Sequence, residues 1–295
     1  MRIRRPLQWE ARGRGQPESA SSPDPGARAR AKVTEVEGQP SRLAQSASWY
    51  LQAVDAVPAD SWRKGTLCEA WTVSQVVAHV ATGDQLFRAR ILDAMGKDRA
   101  GQDLPVDMAD RMRRFDQYST WEPAKLKAAA RKESEQTVAA IAEALEQAPQ
   151  TIVDVPFGKV PLPVVRGLRL NEYIIHGYDL TPAIGRSIPI PDWFIDRGLG
   201  DSINLMTRLH QRSPRKGESA SFHLHRTDGE GEWVLRADGG EAVVEAGHAK
   251  ADVAMRGPAE GLYWVLMGRG KPDEHGVVHG DPELAAAFKE WFPGP

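Results

Sequence analysis

The chain has 295 residues, 41% of them hydrophobic, which is enough to bury a sizeable core and favours two domains over one. Its formal net charge of −2 gives no general attraction to nucleic acid or anionic membranes, and no run approaches the roughly 18 apolar residues of a membrane span. Cys68 is the only cysteine, which excludes an intrachain disulfide and a cysteine-based zinc cluster and fits the cytoplasm, the compartment we predict.

The N-terminal segment differs in composition from the rest of the chain. It is rich in Gly, Pro, Ser and Arg and has too little apolar surface to offset the entropy of ordering it, so we predict a disordered extension over residues 1–38. A twin-arginine signal at Arg4 and Arg5 lacks the apolar region that should follow it. Prolines disfavour the helix of an organelle transit peptide.

The next part of the chain shows helical periodicity in four segments. The first is "SRLAQSASWYLQAVDAV", with Ser41 as its expected cap. In the second, Thr72 and Gln75 form a capping-box pattern ahead of an apolar stripe. The third is "WEPAKLKAAARKESEQTVAAIAEALEQA" and the fourth contains "NEYIIHGYD". Together they predict a four-helix bundle domain over residues 39–195.

The last hundred residues have a different texture. Four short alternating runs divided by Gly and Asp predict antiparallel strands: "ASFHLHRT", "EWVLRAD", "EAVVEAG" and "ADVAMRG". A helix follows from Pro258 to Gly270, then "GVVHG" as a last strand and a closing helix capped by Asp281. We therefore predict an α+β domain over residues 196–295, a sheet with two packed helices.

Three polar side chains in the helical part have metal-binding chemistry. Glu172 and His176 lie four residues apart, which places them one turn apart and about 40° apart around a helix. His79 flanks the apolar stripe of the second helix, beside the small Gly83, which would leave room for a ligand. A surface hydrogen bond and a core histidine are the alternatives. Taken together, two imidazoles and one carboxylate with an open fourth position are typical of a catalytic zinc. Asp84 and Asp179 are candidates to orient the ligands.

Three stretches carry a family resemblance. "LCEAWTVSQVVAHVATGD", "LRLNEYIIHGYDLTPAIGR" and "ADVAMRGPAEGLYWVLMGR" resemble, in this order, two signatures and the sterol-carrier-like C-terminal domain of the mycothiol-dependent maleylpyruvate isomerase family. The resemblance implies a DinB-like four-helix bundle that binds a divalent metal, normally zinc, through His79, Glu172 and His176. It also implies an arginine of the second domain that binds carboxylates, for which Arg269 is our candidate. Ala70 departs from the family pattern, which has Gly before the tryptophan.

The resemblance implies a function as well. Mycothiol, a small thiol, would be activated as a thiolate by the metal, for cis–trans isomerisation of a maleylpyruvate-like substrate or for S-transfer to another electrophile. The partners we expect are a small electrophilic substrate and the thiol, with neither nucleic acid nor membrane. Cys68 is an alternative nucleophile, although a small buried loop residue is the simpler interpretation.

Other functions stay open from the sequence. His223 and His225 share one face of a predicted strand and could bind a metal, although solvated histidines are common there. The stretch "LYWVLMGR" could line a lipid pocket, or simply be core. A non-catalytic metal-stabilised binding or accessory protein and a metal-dependent hydrolase are the alternatives to a thiol-dependent enzyme.

Overall fold

A computed structural model describes residues 41–294, apart from Phe157 and Ser187. The predicted disordered extension at residues 1–38 lies outside these residues. Among the helices that the structure describes, none is long and apolar enough to cross a membrane.

The N-terminal half is a bundle built on the four helices that the sequence predicts. These are α1 (Arg42–Ala56), α2 (Val73–Ala94), α4 (Pro123–Gln147) and α5 (Leu162–Asp179). The Ser41 side chain accepts a hydrogen bond from Ala44 N at the start of α1, and Thr72 and Gln75 form the predicted capping box of α2. Helices α1, α2, α4 and α5 share one core, in which α2 contributes an almost continuous apolar face.

Three further elements of the bundle were not predicted. Helix α3 (Met108–Ser119) is mostly polar and Tyr118 is its only buried residue, but Met112, Phe115 and Tyr118 recur at helical spacing, a pattern that the sequence analysis overlooked. A short antiparallel hairpin, β1 (Ile152–Val155) and β2 (Gly158–Pro161), joins α4 to α5. The one-turn helix α6 (Thr181–Ile184) follows α5 and ends at Gly185, which has a φ of 78°.

The C-terminal half is a five-stranded sheet with helices on one face. The chain runs through α7 (Asp192–Leu209), β3 (Ala220–Arg226), β4 (Glu232–Asp238), β5 (Glu241–Ala246), β6 (Val253–Gly257), α8 (Ala259–Met267), α9 (Pro272–His275), β7 (Val277–Gly280), α10 (Pro282–Ala286) and α11 (Phe288–Trp291). The strand order is β5-β4-β3-β6-β7. The predicted architecture, a helical bundle followed by a small sheet-and-helix domain, is confirmed.

Two details of the second domain correct the prediction. The strands are not all antiparallel, because β6 pairs with β3 in parallel, with Phe222 opposite Val253. Residues 247–252, which we call the crossing segment, connect the end of β5 to the start of β6. They cross β4 and β3, so that β6 pairs with the edge of β3 that β4 leaves free. The predicted closing helix is interrupted at Ala287, which separates α10 from α11, and α7 and α9 are additional helices.

Helix α7 packs with the sheet. Its residues Phe194, Leu199 and Ile203 belong to the core that α8, α11 and the inner sheet face share. Our predicted boundary after residue 195 falls inside this helix. Ile174 and Ile175 of α5 also enter this second core, so the two halves are in apolar contact along α5.

Candidate metal centre

The bundle brings the three predicted metal ligands together. His79 lies on α2, and Glu172 and His176 lie one turn apart on α5. Glu172 Oε2 is 3.4 Å from His79 Nε2 and 3.6 Å from His176 Nε2. One ligand atom from each of the three residues can be chosen such that all lie within 4.8 Å of one another.

The orientation of His176 is fixed from behind. Its Nδ1 donates to Asp179 Oδ2 at 2.9 Å, which leaves Nε2 directed at Glu172. Asp179 is fully buried at the last turn of α5, as expected for a residue that orients a ligand. Burial alone would lower the pKa of His176, but its hydrogen bonds to Asp179 and Glu172 raise it to about 9.

Arg269 reaches this arrangement from the second domain. It follows Gly268, whose φ of 70° ends α8 and turns the chain toward α5. Its Nε and Nη2 donate to the two carboxylate oxygens of Asp179 at 2.8 and 2.9 Å, and Nη1 donates to Met267 O at 2.7 Å. Arg269 and His176 together lower the pKa of Asp179 against the effect of its burial. Arg269 was our candidate, through the family resemblance, for an arginine that binds a carboxylate of the substrate or thiol; the carboxylate that it contacts in the structure is that of Asp179.

His79 has a different environment. Burial lowers its pKa to about 4, so its imidazole is neutral at pH 7 and able to bind a metal. The Trp71 ring lies over it, with 4.8 Å between the ring centroids. Arg111 Nη2 lies 3.1 Å from His79 Nδ1 and donates to His79 O at 3.3 Å. Because a guanidinium can only donate, His79 Nδ1 accepts from Arg111 when no metal is bound; a metal at Nε2, the nitrogen that faces Glu172, would require the ring proton to move to Nδ1 and Arg111 to turn away from it.

The carboxylate of Glu172 is ionised. Burial alone would raise its pKa, but the contacts with His176 and His79 hold it well below its usual range. Arg169 Nη1 lies 3.5 Å from Glu172 Oε2. Asp84, a predicted partner of the ligands, contacts neither histidine; it accepts from Arg169 Nη2 and Tyr173 OH, each at 2.8 Å.

Two arginines were missed by the sequence analysis. Arg111 was missed because helix α3 was not predicted, and Arg169 because a fully buried arginine looks in a sequence like any surface residue of α5. The space beside Gly83, which we expected to admit a ligand, faces them. A Cβ placed on Gly83 would lie 3.3 Å from Arg169 Nη1 and 3.6 Å from Arg111 Nη2.

Cys68 lies close to this cluster but is not activated. Burial and the nearby charge of Asp179 raise the pKa of its thiol, which is therefore protonated at neutral pH. The loop around it is held by hydrogen bonds from Leu67 N to Asp179 O and from Trp71 N to Cys68 O. This supports the structural interpretation of Cys68.

The residues present fit a divalent metal. Two imidazoles, one of them neutral through burial and the other turned by a carboxylate behind it, converge with one ionised carboxylate. Three such protein donors are the set typical of catalytic zinc, in which the fourth position is left to water or substrate. The fold and this site together define a two-domain protein with a candidate metal centre in its helical bundle.

Comparison with known proteins identifies the family. Residues 43–181 match the mycothiol maleylpyruvate isomerase N-terminal domain, and residues 203–287 match the MDMPI C-terminal domain, where MDMPI abbreviates mycothiol-dependent maleylpyruvate isomerase. The chain therefore belongs to the mycothiol-dependent maleylpyruvate isomerase family, and the resemblance seen in the sequence is confirmed.

Two solved structures share the fold. They are a mycothiol-dependent maleylpyruvate isomerase and its histidine-to-alanine mutant, with TM-scores of 0.60 and 0.59. Each is 20% identical in sequence, over 80% of this chain and 90% of the other. No curated protein matches the chain.

Proposed function

We propose that this protein is an enzyme that holds one divalent metal, zinc in the first instance, through His79, Glu172 and His176 and uses a small thiol as its cofactor. The observation that carries the proposal is the convergence of these three side chains from two helices, with their donor atoms within 4.8 Å. The family and its name supply the thiol, mycothiol.

The metal would supply the ionisation of the thiol, because coordination to a divalent cation lowers a thiol pKa from its usual value of about 8.5. A thiol so ionised would supply the nucleophile for an activated double bond of the substrate. Addition, rotation about the resulting single bond and expulsion of the sulfur would give cis–trans isomerisation with the thiol regenerated, whereas retention of the sulfur, with a proton taken up at carbon, would give S-transfer to the electrophile.

The side chains around the cluster have distinct roles in this proposal. Asp179 keeps His176 Nε2 turned toward the metal position. Arg269 holds Asp179 and brings the second domain to the site. Arg169 and Arg269 are paired with Asp84 and Asp179, so Arg111, which lies beside His79, is the cation best placed to favour a substrate or a thiol that carries carboxylates.

The cluster favours thiol chemistry over hydrolysis. A metal-dependent hydrolase needs a carboxylate beside the metal to act as general base. Among the described residues at this site, Glu172 belongs to the donor set, and both oxygens of Asp179 accept hydrogen bonds from Arg269. A non-catalytic binding protein is the remaining alternative, and only a measurement of turnover separates it from the enzyme.

Activity measured against a panel of thiols tests the proposal. Purified protein should isomerise maleylpyruvate, or consume thiol in the presence of an electrophilic alkene, only when mycothiol or another small thiol is added. The variant Cys68→Ala should keep most of this activity, because the nucleophile comes from the cofactor. Turnover without any thiol, or activity lost only in Cys68→Ala, would contradict the mechanism.

A further inference from the structure

A second group of metal-binding side chains lies on the sheet of the C-terminal domain. His223 and His225 on β3, Glu232 on β4 and His248 in the crossing segment each offer one ligand atom, and these atoms lie within 4.8 Å of one another. Glu232 is at the centre of the group. His223 Nε2 and His248 Nδ1 lie 3.0 and 2.8 Å from its Oε2, and His225 Nδ1 lies 2.9 Å from its Oε1.

Strand register explains why three of these residues meet. His225 is directly opposite Glu232 in the antiparallel pair of β3 and β4, and His223 lies two residues earlier on the same face. Phe222 and Leu224, which alternate with the histidines, point into the core instead. The cluster therefore lies on the face of the sheet opposite the helices.

The crossing segment brings the fourth residue. Its path from the end of β5 to the start of β6 passes over β4 and β3, because β6 is on the other side of β3. His248 extends from this segment onto Glu232, and the segment ends where Asp252 accepts hydrogen bonds from Ser221 N and Oγ. The His223 side chain is only 6% exposed as a result, whereas that of His248 is 77% exposed.

We propose that this cluster is a second metal site, which binds a borderline divalent ion such as Zn²⁺ and fastens the crossing segment to the sheet. Three imidazoles and one carboxylate are the donors that Zn²⁺, Ni²⁺ and Cu²⁺ prefer over the all-oxygen shells of Mg²⁺ and Ca²⁺. Four protein donors complete a tetrahedral shell and leave no open position, which is typical of a structural metal. The role is therefore stabilisation of the domain, distinct from catalysis in the bundle.

The alternative is a hydrogen-bonded cluster without a metal. Each imidazole would then direct an N–H at the one carboxylate, whose two oxygens can accept three such hydrogen bonds. A metal would satisfy the same four groups. The two arrangements can be distinguished by measurement, because only a metal site gives the sheet an affinity for zinc.

Zinc titration of the metal-free full-length protein tests the proposal. The wild-type chain should bind two zinc ions, and His248→Ala and His223→Ala should each weaken the binding of one of them by at least about 10-fold. His279→Ala, a histidine of β7 outside both clusters, is the matched control and should bind two. Because His248 is exposed, its substitution tests the site without disturbing the core.

A second measurement uses protein without the bundle site. In the His79→Ala variant, added zinc should raise the melting temperature and protect the crossing segment from proteolysis, and both effects should require a higher zinc concentration when His248→Ala is added. The proposal is overturned if wild type binds one zinc ion that His248→Ala and His223→Ala leave in place. It is equally overturned if zinc leaves the melting temperature of His79→Ala unchanged.

Discussion

The two histidine–carboxylate clusters use the same residue types and differ in what surrounds them. In the bundle, three donors come from two packed helices, and Asp179, Arg269 and Arg111 contact the histidines or their partners from outside the cluster. In the sheet, four donors close on each other around Glu232, and one of them is 77% exposed. Donor types alone therefore do not separate a site suited to catalysis from one suited to stabilisation. The number of protein donors and the groups that contact them from outside the cluster do.

The largest expected effect is on turnover, and it comes from the same substitution made in each cluster, at Glu172 and at Glu232. Glu172→Gln should lower thiol-dependent turnover by at least about 100-fold, because a neutral amide replaces the only anionic donor of the bundle site. Glu232→Gln, the same change in the sheet cluster, should leave turnover unchanged. Steady-state kinetics at saturating zinc give both values, and equal losses in the two variants would remove the distinction between the sites.

The residues behind His176 provide the next test. Asp179→Asn should weaken zinc binding in the bundle by about 10- to 100-fold, because it removes the charge that orients His176. Zinc binding in the sheet should be unaffected. Arg269→Ala should reduce turnover more than zinc affinity if Arg269 also binds a carboxylate of the substrate or thiol. Parallel losses of turnover and zinc affinity in Arg269→Ala would show that it acts only through Asp179.

The bundle histidines also predict a pH dependence for the metal-free protein. The pKa of His79 is lowered to about 4, so the folded state binds fewer protons than the unfolded state up to about pH 6.5, and stability rises with pH. The pKa of His176 is raised to about 9, so its contribution is complete below about pH 6.5 and is lost as the pH rises through 9. Urea unfolding should show a maximum near pH 6.5, and His176→Ala should remove the decline on the alkaline side.

The smallest expected effect is a change in stability from a substitution in the loop before Trp71, whose ring lies over His79. Ala70 has a φ of 66°, the only positive φ of a non-glycine residue in the part of the chain that the structure describes. Ala70→Gly should therefore stabilise the protein by about 1 kcal/mol and raise its melting temperature by about 2–4 °C. Ala128→Gly, at an exposed position inside α4, should destabilise it by about 1 kcal/mol. Thermal unfolding measures the change in melting temperature of both variants. A lower melting temperature for Ala70→Gly would show that Ala70 is not strained.

The proximity of His79, Glu172 and His176 could be predicted from the sequence because the information for it is local. Glu172 and His176 are neighbours on one helix, and an amphipathic pattern is enough to orient His79 toward the same interior. Arg111 was not found because α3 was not predicted, although Met112, Phe115 and Tyr118 recur there at helical spacing.

The sheet cluster needed information that a sequence does not carry directly. His223 and His225 are visible as a pair, but Glu232 joins them only through the register of β3 and β4. His248 joins them only because β6 is parallel to β3, and we predicted antiparallel strands throughout. A crossing segment over the sheet face leaves no periodic signal, so its placement depends on the tertiary structure alone.

Absorption spectroscopy of the cobalt-substituted protein can detect an open coordination position in the bundle site. If the bundle site holds a metal with a position open to the cofactor, a small thiol added to the Co²⁺ protein should produce a thiolate-to-cobalt charge-transfer band in the near ultraviolet. The band should be absent in His79→Ala and retained in His248→Ala, since the sheet site has four protein donors. A spectrum that thiol leaves unchanged, or a band that persists in His79→Ala, would contradict the account.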